Sequence, residues 1–142
     1  SPVIVPEVGA PSFTIAEGEM EIGMGIHGEP GIRKGALLRA DEVVAEMTEP
    51  ILRDLPYGKG DEVAVLVNGL GATPKEELYI VYRKLAKLLQ AEGITVFRVY
   101  VGEFATSLEM TGFSISLLKV DEELKTLLAA EVSTPFFEQV AF

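Results

Sequence analysis

Between Glu62 and Val101 the sequence spells a strand, a helix and a second strand in immediate succession. Val63-Ala64-Val65-Leu66-Val67 is a short, unbroken apolar run. It reads as a buried central strand, because parallel strands are covered on both faces. The run breaks at Asn68-Gly69-Leu70-Gly71-Ala72 and leads into a helix start, with Thr73 as N-cap, Pro74 at the first helical position and Glu76 completing a capping box. Leu78, Tyr82, Leu85, Leu88 and Leu89 form the inward stripe, and Gly93 stops the helix. Ile94 to Val101 then supplies the second strand, so the unit predicts a parallel pair joined by a right-handed crossover.

The remainder fits around that unit. Ser1 to Gly18, rich in Pro and Gly, reads as extended or looped, with Val3-Ile4-Val5 and Phe13-Thr14-Ile15 as possible edge strands. Glu21 to His27 alternates, which predicts a strand with Ile22, Met24 and Ile26 on one face and Gly23, Gly25 and His27 on the other. A face of glycines lets a ligand or another backbone come close. Asp41 to about Leu55 is helical in pattern, with Val43, Val44, Met47, Ile51 and Leu52 as its stripe and Pro50 predicting a kink or a split. Phe113 to Val120 predicts a further strand, Asp121 caps a short helix through Ala130, and Pro135 to Phe142 reads as a tail that packs irregularly or lies on another surface. Tyr79, Tyr82, Phe97 and Tyr100 fall at core spacing. The fold class is α/β, a two-layer domain with a mixed β-sheet and flanking helices, and 142 residues suffice for one core.

Composition narrows the function. The chain has 12 Lys and Arg against 22 Asp and Glu, a net charge of −10 that opposes binding to a phosphate backbone, so no nucleic-acid partner is expected. Without Cys, disulfides, thiolate metal sites and thiol nucleophiles are excluded, and one His cannot build the usual zinc site. No Gly-x-Ser-x-Gly elbow appears. No apolar run reaches the roughly 18 residues that span a bilayer, and no secretory pattern opens the chain, so a cytoplasmic protein is expected.

His27 is thus the candidate for chemistry. A lone histidine serves structure or catalysis, but this one ends a predicted strand beside glycines and precedes the turn Gly28-Glu29-Pro30-Gly31. Such positions concentrate functional groups, and a neutral imidazole is a competent nucleophile toward a carbonyl carbon. Asn68-Gly69-Leu70-Gly71 could hold an anion at the helix start, yet lacks the Gly-Lys-Ser/Thr of a phosphate loop and reads as a tight turn. Glu103 and Glu109 could pair for acid-base work, but they lie six apart among Thr106, Ser107 and Thr111 and read as a polar loop.

Several segments, in order, resemble the dihydroxyacetone-binding subunits of dihydroxyacetone kinases. They are Phe13-Thr14-Ile15, Glu19 through Gly31 with Gly25-Ile26-His27-Gly28-Glu29-Pro30-Gly31 at its end, Leu66 through Pro74, Glu77-Leu78-Tyr79, Thr106 through Ile115, Leu117 through Asp121, and Ser133-Thr134-Pro135. The resemblance implies that His27 is both the substrate-binding and the catalytic residue, attacking the ketone of dihydroxyacetone to hold it as a hemiaminal. It implies the C-terminal half of a subunit about twice this length, with residues 1–18 as interdomain connector and the N-terminal domain absent. That domain supplies the acid-base groups, so the fragment alone is expected to be inactive. No cofactor or metal is implied in this chain. ATP or ADP with Mg would sit on a separate nucleotide-binding kinase subunit or domain, fed in many bacteria by the phosphotransferase system. A homodimer is also implied. The alternative within the family is a transcriptional co-regulator that binds the triose without phosphorylating it. A third reading is a nucleotide-binding module around Gly69 and Gly71.

Overall fold

A computed structural model describes residues 4–11, 13–25 and 29–142. From the N-terminus, β1 (Ile4–Val5) pairs antiparallel with β2 (Ala10–Pro11), and β3 (Glu19–Ile22) pairs antiparallel with β4 (Arg33–Ala36). There follow α1 (Ala40–Asp54), β5 (Glu62–Gly69), α2 (Lys75–Ala91), β6 (Thr95–Gly102), β7 (Phe113–Lys119) and α3 (Glu122–Leu128). The hairpin of β8 (Val132–Ser133) and β9 (Glu138–Gln139) lies near the C-terminus.

The main sheet has the order β6-β5-β7, with β5 parallel to β6 and antiparallel to β7. The strand–helix–strand unit and the mixed α/β sheet expected from sequence are both present. The antiparallel member is β7, however, whereas the N-terminal hairpins form separate two-stranded sheets. Val63, Val65 and Val67 on one face of β5 pack with Val44 of α1 and with Leu78, Val81, Leu85 and Leu89 of α2. Both helices therefore lie on that face, and α1 touches α2. Each fully buried Leu contributes roughly 2 kcal/mol by removing apolar surface from water.

Helix α2 ends as its sequence predicts. Gly93 adopts φ +73 and donates to Gln90 O, while Ile94 N donates to Leu89 O at 2.9 Å. These two bonds satisfy carbonyls that the helix end would leave open. Its start differs from expectation: the N-cap is Pro74 and no side chain caps it, because the Thr73 hydroxyl is used elsewhere. Helix α1 continues through Pro50 without splitting. Pro50 is exposed, so the carbonyl left without a donor can be served by water. Asp121 caps α3 by accepting from Leu124 N, as expected.

The second face of the sheet carries Arg98 and Tyr100, which pair in register with Ala64 and Leu66. The C-terminal segment covers them, and it is an ordered hairpin where an irregular tail was expected. Gln139 Oε1 accepts from Tyr100 Oη at 3.0 Å and from Arg98 Nη2 at 3.3 Å. Gln139 Nε2 donates to Leu128 O and Ala130 O. Phe137 meets the Tyr100 and Phe104 rings, each at 5.9 Å between centroids, and the Arg98 guanidinium lies 4.0 Å from the Phe142 ring centroid. Phe136, in contrast, is 98% exposed, and Tyr79, expected in the core, is 53% exposed on the outer face of α2. Phe13-Thr14-Ile15 is not a strand.

At the other end of the strands, Tyr57 donates to Leu117 O at 2.9 Å, and burial, reinforced by Asp54, pushes its hydroxyl pKa up. Hydrogen bonds from Lys119 and then from the Gly58 amide hold the Asp61 carboxyl below its ordinary value of 3.8. A carboxyl depressed in the folded state stabilises above its unfolded pKa, and that contribution disappears as pH falls through the lower folded value. Thermal melts of wild type and Asp61→Asn are therefore expected to differ at pH values above the ordinary 3.8, wild type being higher, and to converge as pH falls through the lower folded value. A difference independent of pH would contradict this role for Asp61.

Candidate functional site

The hairpin β3–β4 carries the predicted site. Strand pairing runs from Glu19 opposite Ala36 to Ile22 opposite Arg33, and Ile32 N donates to Ile22 O at 2.8 Å. The alternating strand expected over residues 21–27 thus stops at Ile22. Gly23, at φ +78, turns the chain in a conformation that L side chains rarely adopt. Gly25 N donates to Glu29 O at 3.0 Å. His27, the predicted catalytic and substrate-binding residue, lies outside the described residues, as does Ile26 of its predicted apolar face.

The close approach expected at the glycines is made by the hairpin's own return limb: a Cβ on Gly23 would lie 2.8 Å from the Ile32 side chain and 3.3 Å from Ile32 N. A Cβ on Gly25 would overlap the Glu29 carboxylate and lie 2.7 Å from Glu29 Cβ. One on Gly31 would lie 2.6 Å from Glu21 Cγ and from Ile22 O. Both positions are filled by the hairpin's own side chains and backbone. Glu21 Oε1 accepts from Gly31 N at 2.8 Å. Arg33 Nε lies 3.2 Å from Glu46 Oε1 and ties the hairpin to α1.

A second constellation sits where β5 and β6 end. Asn68 is 3% exposed. Its Oδ1 accepts from Phe104 N at 2.8 Å and Ala105 N at 2.9 Å, and its Nδ2 donates to Ala105 O at 2.8 Å. Thr73 Oγ1 donates to Gly112 O at 2.8 Å and accepts from Gly112 N at 2.9 Å. Leu70 N donates to Gly112 O, Ala72 N to Met110 O, and Ser107 N to Leu70 O. Gly71, at φ +117, leaves room for Leu108, whose carbonyl carbon would be 2.6 Å from an added Cβ.

These bonds make 68–73 a tight turn that holds the 103–112 loop. The amides of Leu70 and Ala72 are already engaged and so do not cradle a phosphate. The two loop carboxylates point to different tasks: Glu109 Oε1 accepts from Ile4 N at 3.0 Å, and Glu103 packs beside Gly69. Glu103 also lines a cleft of about 390 Å³ with Gly71, Ala72, Thr73, Pro74 and Lys75, at the strand ends where α/β sheets commonly hold ligands. Lys75 was not distinguishable in the sequence from a solvated helix residue. Among the described residues no group of three or more His, Asp or Glu could hold a metal ion, and no helix is long and apolar enough to cross a membrane.

Fold and hairpin define an α/β domain in which a mixed sheet is backed by two helices and a short glycine-shaped hairpin is tied to α1. The profile of the Dak1 domain matches residues 1–136, and the chain belongs to that family. It is 45% identical over 155 residues to the "PEP-dependent dihydroxyacetone kinase, dihydroxyacetone-binding subunit DhaK" of Escherichia coli K12, covering 92% of this chain and 44% of that protein. To the "PTS-dependent dihydroxyacetone kinase 2, dihydroxyacetone-binding subunit DhaK" of Listeria innocua it is 42% identical, covering 94% of this chain and 40% of that protein. The chain thus spans about two fifths of the length of these relatives. Among solved structures, the "Dihydroxyacetone kinase operon co-activator Dha-DhaQ" superposes with a TM-score of 0.77 at 32% identity, covering 87% of this chain and 38% of that one. The dihydroxyacetone kinase from C. freundii in complex with AMP-PNP and Mg2+ gives 0.68 at 31%, covering 86% and 23%.

Asn68 provides a direct check on the loop architecture. Asn68→Ala leaves two part-buried amides without their acceptor, each costing about 1–3 kcal/mol. Urea denaturation is expected to show a loss of about 2–4 kcal/mol, and hydrogen exchange to show faster exchange at Phe104 and Ala105. A loss below about 0.5 kcal/mol, the range of ordinary surface substitutions, would mean that Asn68 does not anchor the loop.

Proposed function

We propose that this chain is the substrate-capturing part of a dihydroxyacetone kinase, the C-terminal half of a longer dihydroxyacetone-binding subunit, and that His27 holds the triose covalently. The observation that carries this reading is the 42–45% identity to dihydroxyacetone-binding subunits over more than nine tenths of the chain, a span that includes the Gly25-Ile26-His27-Gly28-Glu29-Pro30-Gly31 segment. In the capture step the lone pair of a neutral imidazole nitrogen attacks the ketone carbon. The C=O π bond breaks, a proton from solvent converts the oxygen to a hydroxyl, and the ring releases its N–H proton, leaving a neutral hemiaminal. Glycerol offers hydroxyls of similar size but no carbonyl, so capture turns a chemical difference into specificity. It also fixes a terminal hydroxyl for in-line phosphoryl transfer, where positioning carries most of the catalysis.

Activation of that hydroxyl belongs, in this reading, to an N-terminal domain of the same subunit. ATP or ADP with Mg belongs to a separate nucleotide-binding subunit or domain, and the complete protein works as a cytoplasmic homodimer. Residues 1–18 act as the connector to the N-terminal domain. This chain alone does not phosphorylate. A second reading, a dihydroxyacetone-sensing co-regulator without kinase activity, is favoured by the TM-score of 0.77 to the operon co-activator. Both readings need His27. They separate on whether the full-length gene product supports phosphorylation when supplied with a nucleotide-binding subunit.

Intact-mass spectrometry of the full-length gene product with dihydroxyacetone is expected to show an adduct in wild type and none in His27→Ala, with circular dichroism confirming that the variant is folded. Density running from the ring to the triose is the matching crystallographic result. A wild-type complex with free triose at hydrogen-bonding distance would make His27 an orienting residue and refute covalent capture.

A further inference from the structure

Asn68 is the only asparagine in the chain, and a glycine, Gly69, follows it. This dipeptide carries a general chemical liability. The glycine amide nitrogen, once deprotonated, can attack the asparagine side-chain carbonyl carbon, and glycine hinders that attack least because it has no Cβ. The new C–N bond closes a cyclic succinimide as ammonia leaves. Water then opens the ring at either carbonyl, giving aspartate or its isoaspartyl isomer, in which the main chain runs through the former side-chain carbon. The reaction consumes only water and a base such as hydroxide.

The structure requires at both positions the residue that this chemistry makes labile. At 68 it uses an acceptor and a donor, since Oδ1 accepts from Phe104 N and Ala105 N while Nδ2 donates to Ala105 O. Aspartate keeps the acceptor, but its second oxygen would face the Ala105 carbonyl oxygen at a residue only 3% exposed. At 69 the fold leaves no space for a side chain, because a Cβ would lie 3.1 Å from Glu103 Cγ and 3.2 Å from Leu78 Cδ1.

The native bonds act on the reaction in opposite directions. Two N–H donors on Oδ1 would stabilise the oxyanion of a tetrahedral intermediate. That gain is available only if the Gly69 nitrogen reaches Asn68 Cγ. Asn68 pairs with Gly102 and Ser114, and Gly69 with Phe113, which holds the backbone extended. Ring closure needs a rotation that this pairing forbids, and Nδ2 is held on Ala105 O meanwhile. Geometry therefore outweighs polarisation. The restraint fails when the 103–112 loop lifts and the end of β5 frays with it.

We propose that Asn68–Gly69 is a deamidation site gated by the fold. It is closed in the native turn, open when the 103–112 loop lifts, and irreversible because the product cannot rebuild the turn. The lifetime of the molecule then depends on the local stability of this loop, whatever reaction the complete protein performs.

The test incubates the full-length gene product in mildly alkaline buffer and follows the tryptic peptide spanning residues 60–75 for amide-to-acid conversion and the isoaspartyl isomer. Native protein is expected to convert at least about a hundredfold more slowly than protein held in urea, because only the open fraction reacts. Thr73→Val removes the hydroxyl that ties Gly112, and is expected to speed native conversion about tenfold while leaving the rate in urea unchanged. Should Thr73→Val not fold by circular dichroism, low urea concentrations replace it, with conversion and hydrogen exchange at Phe104 and Ala105 expected to rise together. Converted protein returned from urea is expected to lack native protection at Phe104 and Ala105, whereas unconverted protein regains it. Native conversion within about threefold of the rate in urea would overturn the gating. Full protection in the converted protein would overturn its irreversibility, and no conversion in urea would remove the site.

Discussion

Burial of β5 on both faces is the constraint from which the rest of the structure follows. Its Val63, Val65 and Val67 side chains meet the apolar stripes of α1 and α2, which fixes those helices on one face of the sheet. Its backbone is paired on both edges, with β6 running parallel and β7 antiparallel. A strand enclosed in this way has no tolerance for a register slip, because moving by one residue would exchange the two faces.

That enclosure creates a demand at the strand's exit. Asn68 lies inside the sheet's end and is almost wholly buried, so its amide must find partners within the protein. It finds them in the backbone of Phe104 and Ala105, and Thr73 does the same with Gly112. Two buried polar side chains thereby convert a ten-residue connection into a defined surface at the ends of β5 and β6. The loop in turn holds Ile4 through Glu109, so the N-terminal ribbon is linked through it to the central strand.

The hairpin that bears the proposed nucleophile is attached more lightly. Its strands pair only with each other, and among the described contacts the Arg33–Glu46 pair joins it to α1. Within the described residues, glycines at 23, 25 and 31 allow close approach, Glu21 accepts from Gly31 N, and Gly25 N donates to Glu29 O.

Periodicity in the sequence was enough to define the β5–α2–β6 unit, the α1 stripe, β7 and the Asp121 cap, because these depend on residues close in the chain. The Dak1 family was also legible there, from ordered motifs over nearly the whole length. The functions of Thr73, Gly25, Gly31 and Glu21 were not. Thr73 carries every local mark of a helix cap, yet its hydroxyl is taken by Gly112, 39 residues away. The glycines between Gly23 and Gly31 look like an open strand face until the return limb of the hairpin brings Glu29 and Glu21 into the space their missing side chains leave. Local sequence specifies which conformations a segment prefers. Which polar atom meets which partner is decided only when distant segments pack together, because burial removes the water that would otherwise have satisfied either choice.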